Sequence, residues 1–171
     1  MNRLKTAITG GAVNRYHTVE DFTIKQTVSQ HVFNLYHFVY DIMGGSMSPY
    51  LVKSIMFHDI EEQVTGDIPS AFKRENPVLK ELCDEVEFWF HQQLGIDCSL
   101  SVFEQRVLKW ADMLECGYHS AKKMKSNDAY KEIPSNVIKY LRTLNPPNKK
   151  ANEMLKDFEL QLIGVNEDAS E

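Results

Sequence analysis

Apolar residues recur along this chain at intervals of three and four, and the runs break at glycine, proline or a capping residue. From Thr27, the positions Val28, His31, Leu35, Phe38, Val39 and Ile42 follow a helical spacing that Gly44 and Gly45 terminate. Ser48 and Pro49 then provide an N-cap and a first-turn proline, with Val52, Ile55 and His58 or Asp59 on one stripe and a predicted end near Gly66. Asn76 and Pro77 repeat that start for Val78, Leu82, Val86, Trp89 and Phe90, up to Gly95. Ser101 and Glu104 form a capping box ahead of Phe103, Val107, Trp110, Ala111, Leu114 and Tyr118. Two shorter helices, one starting near Ser135 and one over 149–162, are divided by Asn145, Pro146 and Pro147. Nothing reads as a strand and no repeat appears. The expectation is an all-α, single-domain bundle of about six or more helices, spanning 1–164, with an acidic, frayed tail over 165–171.

Several polar groups interrupt the apolar stripes. His31 follows Val28 by three and precedes Leu35 by four, which puts it on the buried face of its helix. His58 and Glu62, four apart, share a helix face in this reading, and Asp59 follows Ile55 by one turn. Asp112 lies between Trp110 and Leu114 in the most hydrophobic helix. An isolated charge in such a place costs several kcal/mol, and coordinating a metal is one of the few ways to offset that penalty. A lone histidine on an apolar face is most often a satisfied core residue, and a lone buried aspartate most often a cap or an arginine partner. Two imidazoles and two carboxylates from three separated segments form a joint pattern that neither reading covers. The mixed set suits Zn, Mn, Fe or Co rather than the all-oxygen shells of Ca or Mg. Glu87 with His91 and Glu115 with His119 are also acid and imidazole pairs four apart, for which surface or capping roles are expected, the second beside a helix bend at Gly117. The Glu-x-x-His spacing of di-iron carboxylate bundles is absent, and Lys122, Lys123 and Lys125 read as a solvated helix end.

Composition sets limits. At 171 residues, with 43% apolar and 11% aromatic residues, the chain can bury one core. A formal net charge of -5 argues against a nucleic-acid surface, which needs clustered cations. Met1 to Gly11 lacks the apolar run of a secretion signal, and no stretch reaches the ~20 apolar residues of a membrane span. Cys83, Cys98 and Cys116 form no CxxC pair, as reduced thiols do. A cytoplasmic protein with no nucleic-acid or membrane partner is expected.

His31, then His58-Asp59, then Asp112 resembles the H...HD...D signature of the HD-domain metal phosphohydrolases, an all-α superfamily. The match extends to Arg15-Tyr16-His17-Thr18, to Thr27-Val28-Ser29-Gln30-His31, and to the run from His58 through Glu62 and Thr65-Gly66-Asp67 to Pro69. These segments are similar to the branch that holds the bacterial 5'-deoxynucleotidases and the phage dATP triphosphohydrolases. The resemblance implies that His31, His58, Asp59 and Asp112 hold one divalent transition metal (Zn, Co, Mn or Fe), with room for a second divalent ion. It makes Glu62 the acid or base beside the attacking water and Asp67 a second catalytic acid, on the sugar hydroxyl or a second metal. Arg15 would hold a phosphate, and Tyr16 would stand where relatives have Trp, against the deoxyribose. Thr18 and Pro69 would bound the base or sugar pocket, and Lys73 would be a further phosphate contact. One position departs: relatives usually carry Glu before the first ligand histidine, and this chain has Gln30.

The implied activity is metal-dependent hydrolysis of a small-molecule 2'-deoxynucleotide by a homo-oligomer in the cytoplasm, the host's if the chain is phage-encoded. Gly10-Gly11 leading into Arg15 looks closer to the phage triphosphohydrolases, so a dNTP split into deoxynucleoside and triphosphate is the first expectation. The alternative is a 5'-deoxynucleotidase acting on dNMPs. From other classes come a catalytically silent binding module on the same scaffold and a phosphodiesterase of cyclic or oligomeric nucleotides.

Overall fold

The structure, a computed structural model, describes residues 1–16, 25–97 and 99–168. In chain order its helices are α1 (Arg3–Gly11), α2 (Val28–Ile42), α3 (Pro49–Met56), α4 (Glu62–Thr65), α5 (Ser70–Glu75), α6 (Pro77–Leu94), α7 (Val102–Lys123), a 3-10 turn (Asp128–Tyr130), α8 (Ile133–Leu144) and α9 (Lys149–Asp168). The expected all-α class holds, and the described residues contain no strand beyond an isolated antiparallel bridge between Asn14 and Thr27. No helix among them is long and apolar enough to cross a membrane.

Local sequence accounts for most boundaries. The Ser48 side chain accepts the Leu51 N–H, Pro49 opens α3, and both halves of the Ser101–Glu104 capping box are made. Gly44, Gly45 and Gly95 have positive φ where α2 and α6 stop. The helix expected from Ser48 to Gly66 differs: it ends at Met56, and a turn over 57–61 separates it from the short α4. That break places Asp59 at φ 58, in the left-handed region that a continuous helix excludes. Sequence periodicity missed α1 and α5, which are short and carry few buried positions. In α1, only Thr6 and Gly10 are buried.

The chain divides into two compact units. The first, Met1–Tyr36 with Ser48–Ser99, buries Val28, Val32, Leu35, Leu51 and Ile55, and a cluster of Ile60, Leu94, Ile96 and the half-buried Phe57. Each full burial of this kind contributes about 1.5–3 kcal/mol. Within this unit α6 buries Phe90 and Leu94 and leaves Val78, Leu82 and Trp89 of its apolar stripe exposed. The second unit, His37–Met47 with Leu100–Glu171, packs α7, α8 and α9 around Val107, Trp110, Leu114, Leu141 and Phe158. There α7 runs unbroken through Gly117, whose lack of a side chain admits Phe158: a Cβ would lie 2.9 Å from that ring and 3.0 Å from Val137. Glu115, expected on the surface, is only 1% exposed.

Candidate metal centre

Two segments of the first unit carry His31, His58 and Asp59. α2 carries His31, which is wholly buried on the same stripe as Val28, Val32 and Leu35. The turn after α3 carries His58 and Asp59. It is held by successive backbone bonds from His58 N–H to Ile55 O, Ile60 N–H to Phe57 O and Glu62 N–H to Asp59 O. Ile60, 3% exposed, anchors the turn in its apolar cluster, and Gly10 of α1 presses on it: a Cβ there would come within 2.9 Å of the Ile60 carbonyl oxygen. The Gln63 amide donates to that same carbonyl at 2.8 Å.

The Asp59 carboxylate sits between the imidazoles. His31 Nε2 is 3.7 Å from Asp59 Oδ2 and His58 Nε2 is 3.5 Å from Asp59 Oδ1, with the two ring centroids 5.5 Å apart. His58 and Glu62 therefore do not share a helix face, because His58 lies in the turn and Glu62 opens α4. Asp112 is half-buried on α7, between Ala111 and Leu114 of that helix's apolar stripe. It belongs to the second unit, whereas His31, His58 and Asp59 belong to the first.

Around these lies an excess of negative charge. Glu62 is 6% exposed, and its Oε2 makes no hydrogen bond among the described residues. Burial first, then the Asp59 and Asp67 carboxylates, push the Glu62 carboxyl up to about 9, against the opposing pull of Arg15. Glu61, which sequence reasoning passed over, is pushed up to about 7 by burial, by Asp59 and by Glu87. Its only sequence signal was adjacency to Glu62. Carboxylates crowded beside two imidazoles, with a buried oxygen left unbonded, are the electrostatic fit for a cation.

Arg15 and Tyr16 belong to the same unit. Asn14 bridges Thr27, and the Arg15 N–H donates to Gln26 O at 2.8 Å. The Arg15 guanidinium carbon is 5.6 Å from the Tyr16 ring centre, and the Tyr16 N–H donates to Asp67 Oδ2. Pro69 is exposed at the start of α5, and Lys73 is half-buried in the last turn of that helix. Thr18 lies outside the described residues. Gln30 is accounted for locally: its Oε1 accepts the Thr27 N–H at 2.9 Å, and its own N–H donates to Thr27 Oγ1 at 3.3 Å. That is a capping box on α2, made on the exposed side of the helix.

A model of the 5'-deoxynucleotidase YfbR-like family matches residues 13–158. Among solved structures, the chain is similar to the HD phosphohydrolase DatZ of cyanophage S-2L, a structure bound to dA and one catalytic zinc ion. The TM-score is 0.72 at 17% identity, over 96% of this chain and 98% of that one. It is also similar to the PH0347 protein of Pyrococcus horikoshii OT3, with a TM-score of 0.61 at 17% identity, over 91% of this chain and 95% of that one. No curated protein sequence matches significantly. The helical fold is thus shared with a solved HD phosphohydrolase. The chain belongs to the 5'-deoxynucleotidase YfbR-like family, and so to the metal-dependent enzymes that hydrolyse deoxynucleotides.

Proposed function

We propose that the chain hydrolyses the 5'-phosphoester of a 2'-deoxynucleoside triphosphate, with dATP as the first candidate, and releases deoxynucleoside and triphosphate. The observation that carries the reading is the Asp59 carboxylate set between His31 and His58, with buried Glu62 opening the next helix. The choice of a triphosphate is supported by the Gly10–Arg15 resemblance to the phage enzymes and by similarity to a phage HD phosphohydrolase over nearly the whole of both chains. A second reading, 5'-dephosphorylation of a dNMP, is favoured by the family match. Both break the same ester bond and differ in the length of the phosphate chain released.

In this proposal His31, His58, Asp59 and Asp112 hold one divalent ion, zinc by analogy with the cyanophage protein, with Co, Mn and Fe as the other candidates. When bound, the ion supplies Lewis acidity that lowers the pKa of water toward ~7 and polarises a phosphoryl oxygen. Glu62 takes a proton from the attacking water and returns one to the leaving 5'-oxygen. Arg15 neutralises the phosphate through a planar, bidentate contact that lysine does not reproduce. Tyr16 packs on the deoxyribose and leaves no room for a 2'-hydroxyl. Pro69 and Thr18 border the base or sugar, and Lys73 reaches the outer phosphates. Self-association belongs to the same reading, and the apolar side chains that α6 exposes, Val78, Leu82, Phe88 and Trp89, are available for it.

The deciding experiment offers the purified chain dNTPs, dNMPs and ribonucleotides with each metal and identifies the phosphate species released. Triphosphate from dATP, with ribonucleotides ignored, is the expected result. Phosphate from dNMPs alone selects the second reading. Cleavage of cyclic or oligomeric nucleotides only, or of nothing with any metal, overturns both.

A further inference from the structure

The turn that presents Arg15 and Tyr16 is held from two sides. On one, residues 13–15 pair with 26–28 at the start of α2: Asn14 bridges Thr27, the Arg15 N–H donates to Gln26 O at 2.8 Å and the Val28 N–H to Val13 O at 2.9 Å. On the other, the Tyr16 N–H donates to the Asp67 carboxylate across fifty-one residues of sequence. Tyr16 itself has φ 58, a conformation that a bulky aromatic residue keeps only where its surroundings impose it. Asp67 in turn follows a second residue with positive φ. Gly66, at φ 71, closes α4 by donating its N–H to Glu62 O at 2.8 Å, and so turns Asp67 back toward Tyr16.

We infer that Asp67 is a positioning residue: its carboxylate accepts the Tyr16 backbone N–H and so fixes where the Arg15 guanidinium and the Tyr16 ring meet the substrate. This rests on the reading of Arg15 and Tyr16 as substrate contacts. It assigns Asp67 a task other than the catalytic one that sequence resemblance implies. The bond is charge-assisted, which makes it one of the stronger kinds available to a backbone amide. It also ties the substrate-binding turn to the segment that carries Glu62, so the phosphate-holding and proton-transferring groups move as one piece. Asparagine at 67 retains an acceptor oxygen for that N–H, whereas alanine and serine do not reach it.

The test uses the full, metal-loaded chain and two readouts. Amide exchange at Tyr16, measured by NMR without substrate, is expected to speed up by roughly tenfold to a hundredfold in Asp67→Ala and to stay near wild type in Asp67→Asn. In kinetics, Asp67→Ala is expected to raise KM by roughly tenfold or more with kcat within a few-fold, and Asp67→Asn to recover most of the loss. With Arg15→Ala already present, Asp67→Ala should add little further. If Asp67→Ala does not fold, Asp67→Ser takes its place. Equal collapse of kcat in the Asn and Ala variants, with Tyr16 exchange unchanged, overturns the inference in favour of direct chemistry at Asp67. If wild type turns over no deoxynucleotide, the proposed function fails, while Tyr16 exchange still decides what Asp67 does.

Discussion

The two units of this chain use the same helical material differently. The second is built from long helices, among them α7 with 22 residues and α9 with 20, and its buried positions are almost all apolar. The first sets the short α1, α3, α4 and α5 and their turns beside the 18-residue α6, holds Tyr16 and Asp59 in left-handed backbone, and buries His31 and Glu62. Regular helix satisfies its own backbone and projects side chains in fixed rows, which suits packing. Bringing charged groups from neighbouring sequence positions to one point requires irregular backbone. The difference is one of degree, because Asp112 and the buried Glu115 lie on α7 of the second unit, yet substitutions in the two units should fail in different ways.

The largest expected effect is at Asp59. Asp59→Asn keeps a side chain tolerant of left-handed φ but removes the charge between the imidazoles, so turnover should fall by about a thousandfold or more, with the thermal midpoint of the metal-free protein little changed. Measured turnover near wild type would break the comparison. Next is Gly117 in the second unit, where valine would overpack against Phe158 and Val137. Unfolding free energy should drop by about 2–3 kcal/mol in a urea titration, with activity per folded molecule retained.

Third is the electrostatic load of the first unit. Glu61 is pushed from 4.5 to about 7 in the folded chain, so the folded state binds a proton that the unfolded state has released. Metal-free stability should therefore be greatest below pH 4.5 on this account and decline as pH rises through 7. Glu61→Gln removes that decline and should stabilise the chelated protein by about 2 kcal/mol near pH 7. A pH profile unchanged by the substitution would refute it. The smallest effect belongs to Gln30→Glu: either residue completes the Thr27 capping box, so stability should shift by about 0.5 kcal/mol at most and metal preference stay the same, as metal content analysis would report.

The same contrast explains what was legible beforehand. The α7 capping box, the Ser48–Pro49 start and the glycine stops of α2 and α6 follow from local chemistry, and the structure contains each of them. Periodicity failed where tertiary demands override it. It carried a helix through His58 and Asp59, because a left-handed aspartate leaves no mark on the apolar spacing. It gave the apolar stripe of α6 but not which of its residues are covered, because spacing records amphipathicity and not what packs on the apolar face. His31, His58, Asp59 and Glu62 were conspicuous as charges in apolar company. Glu61 and the Asp67–Tyr16 link were not, since one follows no apolar spacing and the other joins residues far apart in sequence.

Gly10 contributes no reactive atom, yet it touches the backbone of the residue that follows Asp59. The placement of His58 and Asp59 thus inherits the mechanical tolerance of the helix that carries Gly10. A single methyl group added there would be felt as a displacement of the His58–Asp59 turn, so the geometry of that turn becomes a gauge of how well the neighbouring helix is seated.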